Sequence, residues 1–133
     1  MGTMKNIFIF LISLVLILII DFVWLGLVAK KTYEKEIGDF YREKFNLWAA
    51  LILYILLAIG VTFIVLGNIY STTYFSTLFV GALFGLIVYG VYDLTNLAII
   101  KNWPIKIVII DILWGTFLLG ITSFLTKYFS ELF

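Results

Sequence analysis

The chain has 133 residues, of which 64% are hydrophobic and only 13% are charged, and its formal net charge is +1. Because a soluble domain carries roughly 25–35% charged residues on its surface, this composition excludes a soluble domain and predicts an integral membrane protein in a lipid bilayer. The small net charge argues against nucleic acid as a partner. The absence of cysteine and histidine excludes disulfides, thiolate chemistry, His-bound zinc and Ser-His catalysis within this chain.

Four apolar runs follow one another along the chain, each near the ~20 residues that a helix needs to cross a bilayer. No charged residue occurs in residues 45–92, a stretch that must therefore contain one span, a turn and most of the next. Continuous runs favour helices over the alternating strands of a barrel. We predict an all-α polytopic membrane protein, a four-transmembrane-helix bundle forming a single domain over residues 1–133. The predicted spans are residues 7–29, 47–66, 78–100 and 105–125.

The first connection, residues 30–46, is the most charged part of the chain, but apolar and aromatic side chains recur through it at helical spacing. These side chains are Tyr33, Ile37, Phe40, Tyr41 and Phe45. The pattern predicts an amphipathic interfacial helix between spans one and two, with Gly38 as its weakest point. A solvated loop is the alternative. The next connection, residues 67–77, is uncharged and is expected to be a short turn, whereas Trp103 and Pro104 mark the start of span four.

Lysine and arginine are distributed unevenly between the two ends of the predicted bundle. Only Lys5 and Lys127 lie at the end that holds the termini. The other end has seven, namely Lys30, Lys31, Lys35, Arg42, Lys44, Lys101 and Lys106. Since cytoplasmic loops are enriched in Lys and Arg, we predict that both termini are non-cytoplasmic.

Three of the predicted spans contain one aspartate each, Asp21, Asp93 and Asp111. Counted from the charged connections, all three lie at a depth of about 10–14 Å at 1.5 Å per residue. An ionised aspartate at mid-membrane costs about 2.5–3.5 kcal/mol, and the only lysine inside a span is Lys106, near the mouth of span four. We therefore expect the three acids to converge in the bundle interior, where protonation, a bound cation or a water-filled pocket would compensate them.

Other side chains are placed to join the same site. In span three, Tyr89, Tyr92, Asp93 and Asn96 fall within about 100° of one another around a helix. Trp24 and Trp114 each follow an aspartate by three residues. The candidate ion- or substrate-binding residues are Asp21, Asp93, Asp111, Asn96, Tyr89, Tyr92, Trp24 and Trp114, and the three aspartates are the candidate ligands if a cation binds. The alternative is that the acids only hydrogen-bond across helix interfaces and fix the register of the bundle.

Several short motifs occur together along most of the chain. They are D-F-V-W-L-G at residues 21–26, Y-D-L-T-N at 92–96, W-P at 103–104 and D-I-L-W-G-T at 111–116. In this order they resemble a bacterial family of four-span membrane proteins catalogued as domain of unknown function 2177. The resemblance implies a multi-pass protein of the bacterial inner (plasma) membrane and supports an aspartate-centred site, but it implies no particular activity. The family is expected to have glycine before the Trp-Pro pair, where this chain has Asn102.

Three functions remain open at this point. The leading hypothesis is proton- or cation-linked transport of a small solute or ion through the aspartate cluster. No cofactor is expected beyond a bound proton, Na⁺ or Mg²⁺, since carboxylate oxygens suit hard cations. Four helices enclose little volume, so a wide pathway would require a homodimer. The alternatives are a membrane-embedded enzyme that uses an aspartate acid/base pair on a lipid or isoprenoid, and a structural or assembly protein without chemistry.

Overall fold

A computed structural model describes residues 2–133, and it confirms the all-α four-span bundle. Helix α1, Thr3–Val23, continues through a π-helical turn at Trp24–Val28, and α3, Leu47–Ile59, continues through another at Gly60–Val65. Helix α4 covers Tyr74–Ile99 and α5 covers Ile105–Leu132, so span three begins earlier and span four ends later than predicted. We refer to the four spans as spans one to four. Apolar side chains such as Ile19, Phe79 and Ile109 are exposed on the outside of the bundle, as expected for helices in contact with lipid.

The helix starts have local causes in the sequence. Helix α4 begins earlier than predicted because Thr73 and Ser76 form a capping box, in which each side chain bonds the other residue's backbone N–H. The side chain of Asn46 accepts a hydrogen bond from the Ala49 N–H at the start of α3. Helix α5 starts directly after Pro104, as predicted. Before it, Asn102 has φ of 63°, a left-handed conformation that glycine and asparagine adopt most easily.

The two termini lie at the same end of the bundle, because the Lys5 side chain donates a hydrogen bond to the carbonyl oxygen of Ser130. We call this the terminal end, and the opposite end, with the connections after spans one and three, the charged end. Spans three and four form the most closely packed pair. A Cβ on Gly85 would overlap the carbonyl of Gly115, and one on Gly81 would overlap Ser123. These glycines therefore allow the two backbones to approach closely, as the Gly-x-x-x-Gly spacing suggests.

The predicted interfacial helix is present but shorter than expected. Helix α2 covers Lys30–Ile37 and is followed by a 3-10 turn at Gly38–Phe40, whereas residues 41–46 are not helical. The α-helix ends at the glycine because glycine is a poor helix former. Its buried side chain is Tyr33, which packs in a cluster with Ala29, Trp103, Ile107 and Val108 beneath the charged end. Helix α2 thus covers one end of the bundle and delivers a tyrosine to its interior.

Candidate functional site

Asp21 is buried near the charged end of span one, and both of its carboxyl oxygens accept hydrogen bonds. The Tyr54 hydroxyl of span two donates to Oδ2 at 2.5 Å, and the Trp114 indole nitrogen of span four donates to Oδ1 at 2.8 Å. Spans one, two and four therefore meet at this carboxyl. Two neutral donors from two other spans therefore hold this carboxyl in place.

Asp111 lies one turn before Trp114 on span four, and it too is buried and partnered. The Tyr33 hydroxyl donates to its Oδ1 at 2.7 Å, and the Trp24 indole nitrogen donates in turn to the Tyr33 oxygen at 3.3 Å. Burial and the nearby negative charge of Asp111 raise the pKa of Tyr33. Tyr33 therefore remains a hydrogen-bond donor across the physiological pH range, and it leaves the second oxygen of Asp111 free.

The indoles of Trp24 and Trp114 connect the two aspartates. Their rings are stacked, with centroids 4.4 Å apart and planes inclined by 6°. Trp114 donates to Asp21 and Trp24 donates to the tyrosine that holds Asp111. The two tryptophans thus form a wall between spans one and four, and each of them contributes one polar atom to the site. An aromatic pair of this kind typically contributes about 0.5–1.5 kcal/mol beyond its burial.

Asp93 differs from the other two acids, because it is completely buried and neither of its carboxyl oxygens has a hydrogen-bond partner. Its carboxyl lies within hydrogen-bonding reach of Asp111 once one of the two is protonated. One turn earlier, Gly90 is buried, yet a Cβ at that position would meet no atom within 4 Å. A small space therefore lies on the Asp93 face of span three. We call Asp93 and Asp111 the carboxyl pair.

The remaining predicted residues of span three occupy different positions. The ring of Tyr89 lies against Gly115, where a Cβ would overlap it. Tyr92 exposes 54% of its surface and Asn96 is half-buried, so both border the carboxyl pair from the side of the bundle. A face about 100° wide includes both the interior and its flank. The four residues predicted on one face of span three therefore divide into interior residues, Tyr89 and Asp93, and lateral residues, Tyr92 and Asn96.

Sequence reasoning missed two site residues, Tyr54 and Tyr33. Tyr54 has the only phenolic hydroxyl in span two, and an isolated polar group in an apolar span is itself a signal that it has an internal partner. Tyr33 was assigned to the apolar face of an interfacial helix, and nothing in its spacing indicates that its hydroxyl reaches span four. Both tyrosines act as donors to carboxylates, which is the compensation that the sequence could not identify.

The positive charges of the chain lie outside this site. In residues 2–133 the ion pairs are Lys106 with Glu36 at 3.7 Å and Lys127 with Glu131 at 2.9 Å, and neither includes an aspartate of the spans. Lys30 and Lys101 are exposed at the charged end. Within the same residues, no three acidic side chains lie close enough together to hold one metal ion. The arrangement can hold a proton between two carboxyls, next to a third carboxyl that is already partnered.

Comparison with known proteins gives one match. The family model described as "Predicted membrane protein (DUF2177)" matches residues 6–128 of the chain. This range contains all three aspartates and the tyrosines and tryptophans that contact them. No curated protein and no solved structure matches the chain. The geometry of the site is therefore the basis for assigning a function.

Proposed function

This chain belongs to the DUF2177 family of predicted membrane proteins, and we propose that it transports a small solute or ion in a process linked to proton binding and release at the carboxyl pair. The proposal rests on the surroundings of the Asp93 carboxyl group. It is completely buried, has no hydrogen-bond donor on either oxygen, and lies beside Asp111. Two adjacent buried carboxyls without a cation are stable when they share a proton.

The division of roles among the three aspartates supports a proton as the bound species. Asp21 is occupied by Tyr54 and Trp114, whereas Asp111 has one free oxygen and Asp93 has two. The three free carboxyl oxygens could also hold a cation such as Na⁺ or Mg²⁺, but only with water completing its ligands. A proton needs only a donor and an acceptor. The space beside Gly90 provides room for a water molecule through which the proton enters or leaves.

Proton flux into proteoliposomes tests this function. Vesicles loaded with a pH-sensitive dye are given a membrane potential, and the flux is compared for the wild type, Asp93→Asn, Asp111→Asn and the exposed control Asp39→Asn. We expect flux in the wild type and the control, and a fall of roughly a hundredfold or more in the two pair variants, the usual contribution of a positioned proton-transfer group. Wild-type vesicles as tight as empty ones would overturn the proposal. A flux of Na⁺ or Mg²⁺ without protons would identify a cation as the bound species.

A second candidate function, an enzyme acting on a membrane lipid or isoprenoid, has one observation in its favour. An apolar groove of about 300 Å³ runs along span one and is closed on one side by the stacked Trp24 and Trp114. Trp114 also holds Asp21, so an acyl chain in this groove would lie beside an acid. The measurement is mass spectrometry of a bacterial lipid extract incubated with purified protein. Lipid conversion that disappears in Asp21→Asn would favour the enzyme, and an unchanged extract would count against it.

The orientation proposed from the lysine and arginine distribution is tested separately. The charged end is proposed to face the cytoplasm of a bacterial inner membrane, so that both termini face away from it. Since the chain has no cysteine, Tyr70→Cys and Lys101→Cys each introduce a single thiol at opposite ends of the bundle. An impermeant thiol reagent added to intact spheroplasts should label the cysteine at position 70 alone. The reverse pattern would invert the orientation.

A further inference from the structure

A second group of buried polar side chains lies in the terminal half of the bundle, away from the aspartates. Thr122 and Thr126 on span four are completely buried, and neither hydroxyl has a hydrogen-bond partner. The side-chain oxygen of Asn6 on span one is also buried and unpartnered. We call Thr122, Thr126 and Asn6 the terminal polar group.

The bonding of neighbouring hydroxyls makes these two threonines unusual. A serine or threonine inside a helix normally donates to the carbonyl one turn earlier. Thr62, Thr77, Thr116 and Ser123 do so, at distances from 2.7 to 2.8 Å. Thr122 and Thr126 do not make this local bond. A buried hydroxyl without a partner is costly, so a ligand that both donates and accepts hydrogen bonds is expected beside them.

Asn6 lies near the terminal end of the bundle, beside a pocket. Lys5 bonds to the carbonyl of Ser130, so Asn6 lies at the level of the last turns of span four. Asn6 also lines a cavity of about 390 Å³ together with Thr3, Ile7, Phe10 and Phe63. A polar residue in a cavity of this size provides what a water molecule needs in order to bind, namely space and polar partners.

An apolar layer separates the terminal polar group from the aspartates. Its buried members are Ile17, Leu57, Ala58, Val61, Leu118 and Leu119. On span four, Leu118 and Leu119 lie between Asp111 and Thr122 in the chain, and on span one Ile17 lies between Asn6 and Asp21. The bundle thus has two polar regions with an apolar layer between them.

We propose that the terminal polar group is a water-binding site that fills from the terminal end and forms the second half of a proton path, which the apolar layer interrupts. Its place in a proton path rests on the proposed function, whereas the binding of water rests only on the unpartnered side chains and the cavity. The ligand is water or a protonated water cluster, because the site offers hydroxyl and amide groups and no charge. The carboxyl pair would then be reached from the charged end of the bundle, and the water site from the terminal end.

Thiol labelling in membrane vesicles tests the water site. Because the natural chain has no cysteine, Thr126→Cys and Thr122→Cys each carry one thiol, and only a hydrated thiol ionises and reacts with a charged methanethiosulfonate. Leu118→Cys is the control in the apolar layer, and Phe117→Cys is the control on the outer surface, where Phe117 is 56% exposed. We expect Thr126→Cys to react at least about tenfold faster than either control. It should do so only from the side that labels Tyr70→Cys.

Equal rates for Thr126→Cys, Thr122→Cys and Leu118→Cys would overturn the proposal, as would labelling from the side that labels Lys101→Cys. If the cysteine variants do not insert, Thr126→Val provides a second measurement, since it keeps the shape and removes the hydroxyl. The thermal midpoint should fall if that hydroxyl binds water and should rise if the site is dry. Fast labelling in a protein without proton flux would retain the water site and reject the proposed function.

Discussion

Trp114 and Asp21 are linked across spans four and one by a hydrogen bond of 2.8 Å from the indole nitrogen to a carboxylate oxygen. The ring that makes this bond also stacks on Trp24. The Trp114 side chain therefore both donates a hydrogen bond to the Asp21 carboxylate and packs against span one. The donor lies on a different helix from the acceptor, so the bond exists only when the two spans are assembled in the register seen here.

Trp114→Phe should separate these two contributions. Phenylalanine keeps an aromatic ring against Trp24 but removes the donor, which leaves one oxygen of a buried acid unpaired. We expect a loss of about 1–3 kcal/mol in the free energy of unfolding, measured by thermal or denaturant unfolding in detergent. Trp48→Phe is the matched control, because Trp48 is 76% exposed and should change stability by less than about 0.5 kcal/mol. Equal effects in the two variants would contradict the structural role of the bond.

Asp93→Asn distinguishes a chemical role from a structural one. If Asp93 binds a proton for transport, the amide should abolish flux, while stability changes little, because an amide at this position can still donate a hydrogen bond to Asp111. Asp93→Leu should also abolish flux and should lower the free energy of unfolding by about 1–3 kcal/mol, since it leaves the buried Asp111 without the carboxyl that shares its proton. If the acid only fixes helix register, both variants should unfold more easily and Asp93→Asn should remain active. Unfolding and flux measured on the same preparations separate the two outcomes.

Gly90→Ala tests the space beside the carboxyl pair. A methyl group fits there without contact, and alanine favours a helix over glycine by about 0.5–1 kcal/mol, so the thermal midpoint should rise slightly. Proton flux should fall, because the methyl group occupies the volume proposed for water. A stable variant with wild-type flux would show that this space is not used.

Gly115→Ala should have the opposite effect on stability. A Cβ at Gly115 would overlap Cγ and both Cδ atoms of Tyr89, the part of the ring nearest its own backbone. Overpacking of this kind typically costs about 1–3 kcal/mol, measured as a lower midpoint of thermal unfolding. Gly26→Ala is the control, since a Cβ at Gly26 would meet no atom within 4 Å, and its stability should not fall.

Asn102 offers a test of the turn before span four. Its φ of 63° is the conformation that costs an ordinary residue roughly 1–2 kcal/mol. Asn102→Ala should therefore destabilise the protein by about 1 kcal/mol, whereas Asn102→Gly should not, and both are measured by thermal unfolding. Glycine and asparagine are thus the two residues expected to satisfy this backbone requirement. A stable alanine variant would contradict that explanation.

The sequence was sufficient for the number of spans, because each apolar run is long enough to cross a bilayer and each break is marked by charge or by turn residues. The burial of Asp21, Asp93 and Asp111 also followed from the cost of exposing a carboxylate to lipid. The partners of these acids did not follow. Tyr54 and Tyr33 reach Asp21 and Asp111 only through the rotation and register of separate helices, and hydropathy does not specify either one.

The π-helical turns are a further reason why the contacts of the aspartates could not be predicted from the sequence. Each wider turn changes the angular positions of the residues beyond it, and no regular helical wheel anticipates the change. The turn at Trp24–Val28 begins at the tryptophan that stacks on Trp114 and bonds to Tyr33. The stacked tryptophans could therefore be proposed as neighbours of the aspartates from their spacing, but the contact between them could not.

The close packing of spans three and four has a mechanical consequence. Their backbones touch at Gly85 and Gly115, and this hairpin carries both members of the carboxyl pair. In contrast, within residues 2–133 the backbone of the first half of span two comes close to that of span one only. If the bundle flexes, the hairpin should move as a rigid body and the other helices should slide along it. The carboxyl pair would stay intact during this movement. The hydrogen bonds from Trp114 to Asp21 and from Tyr33 to Asp111 would break together.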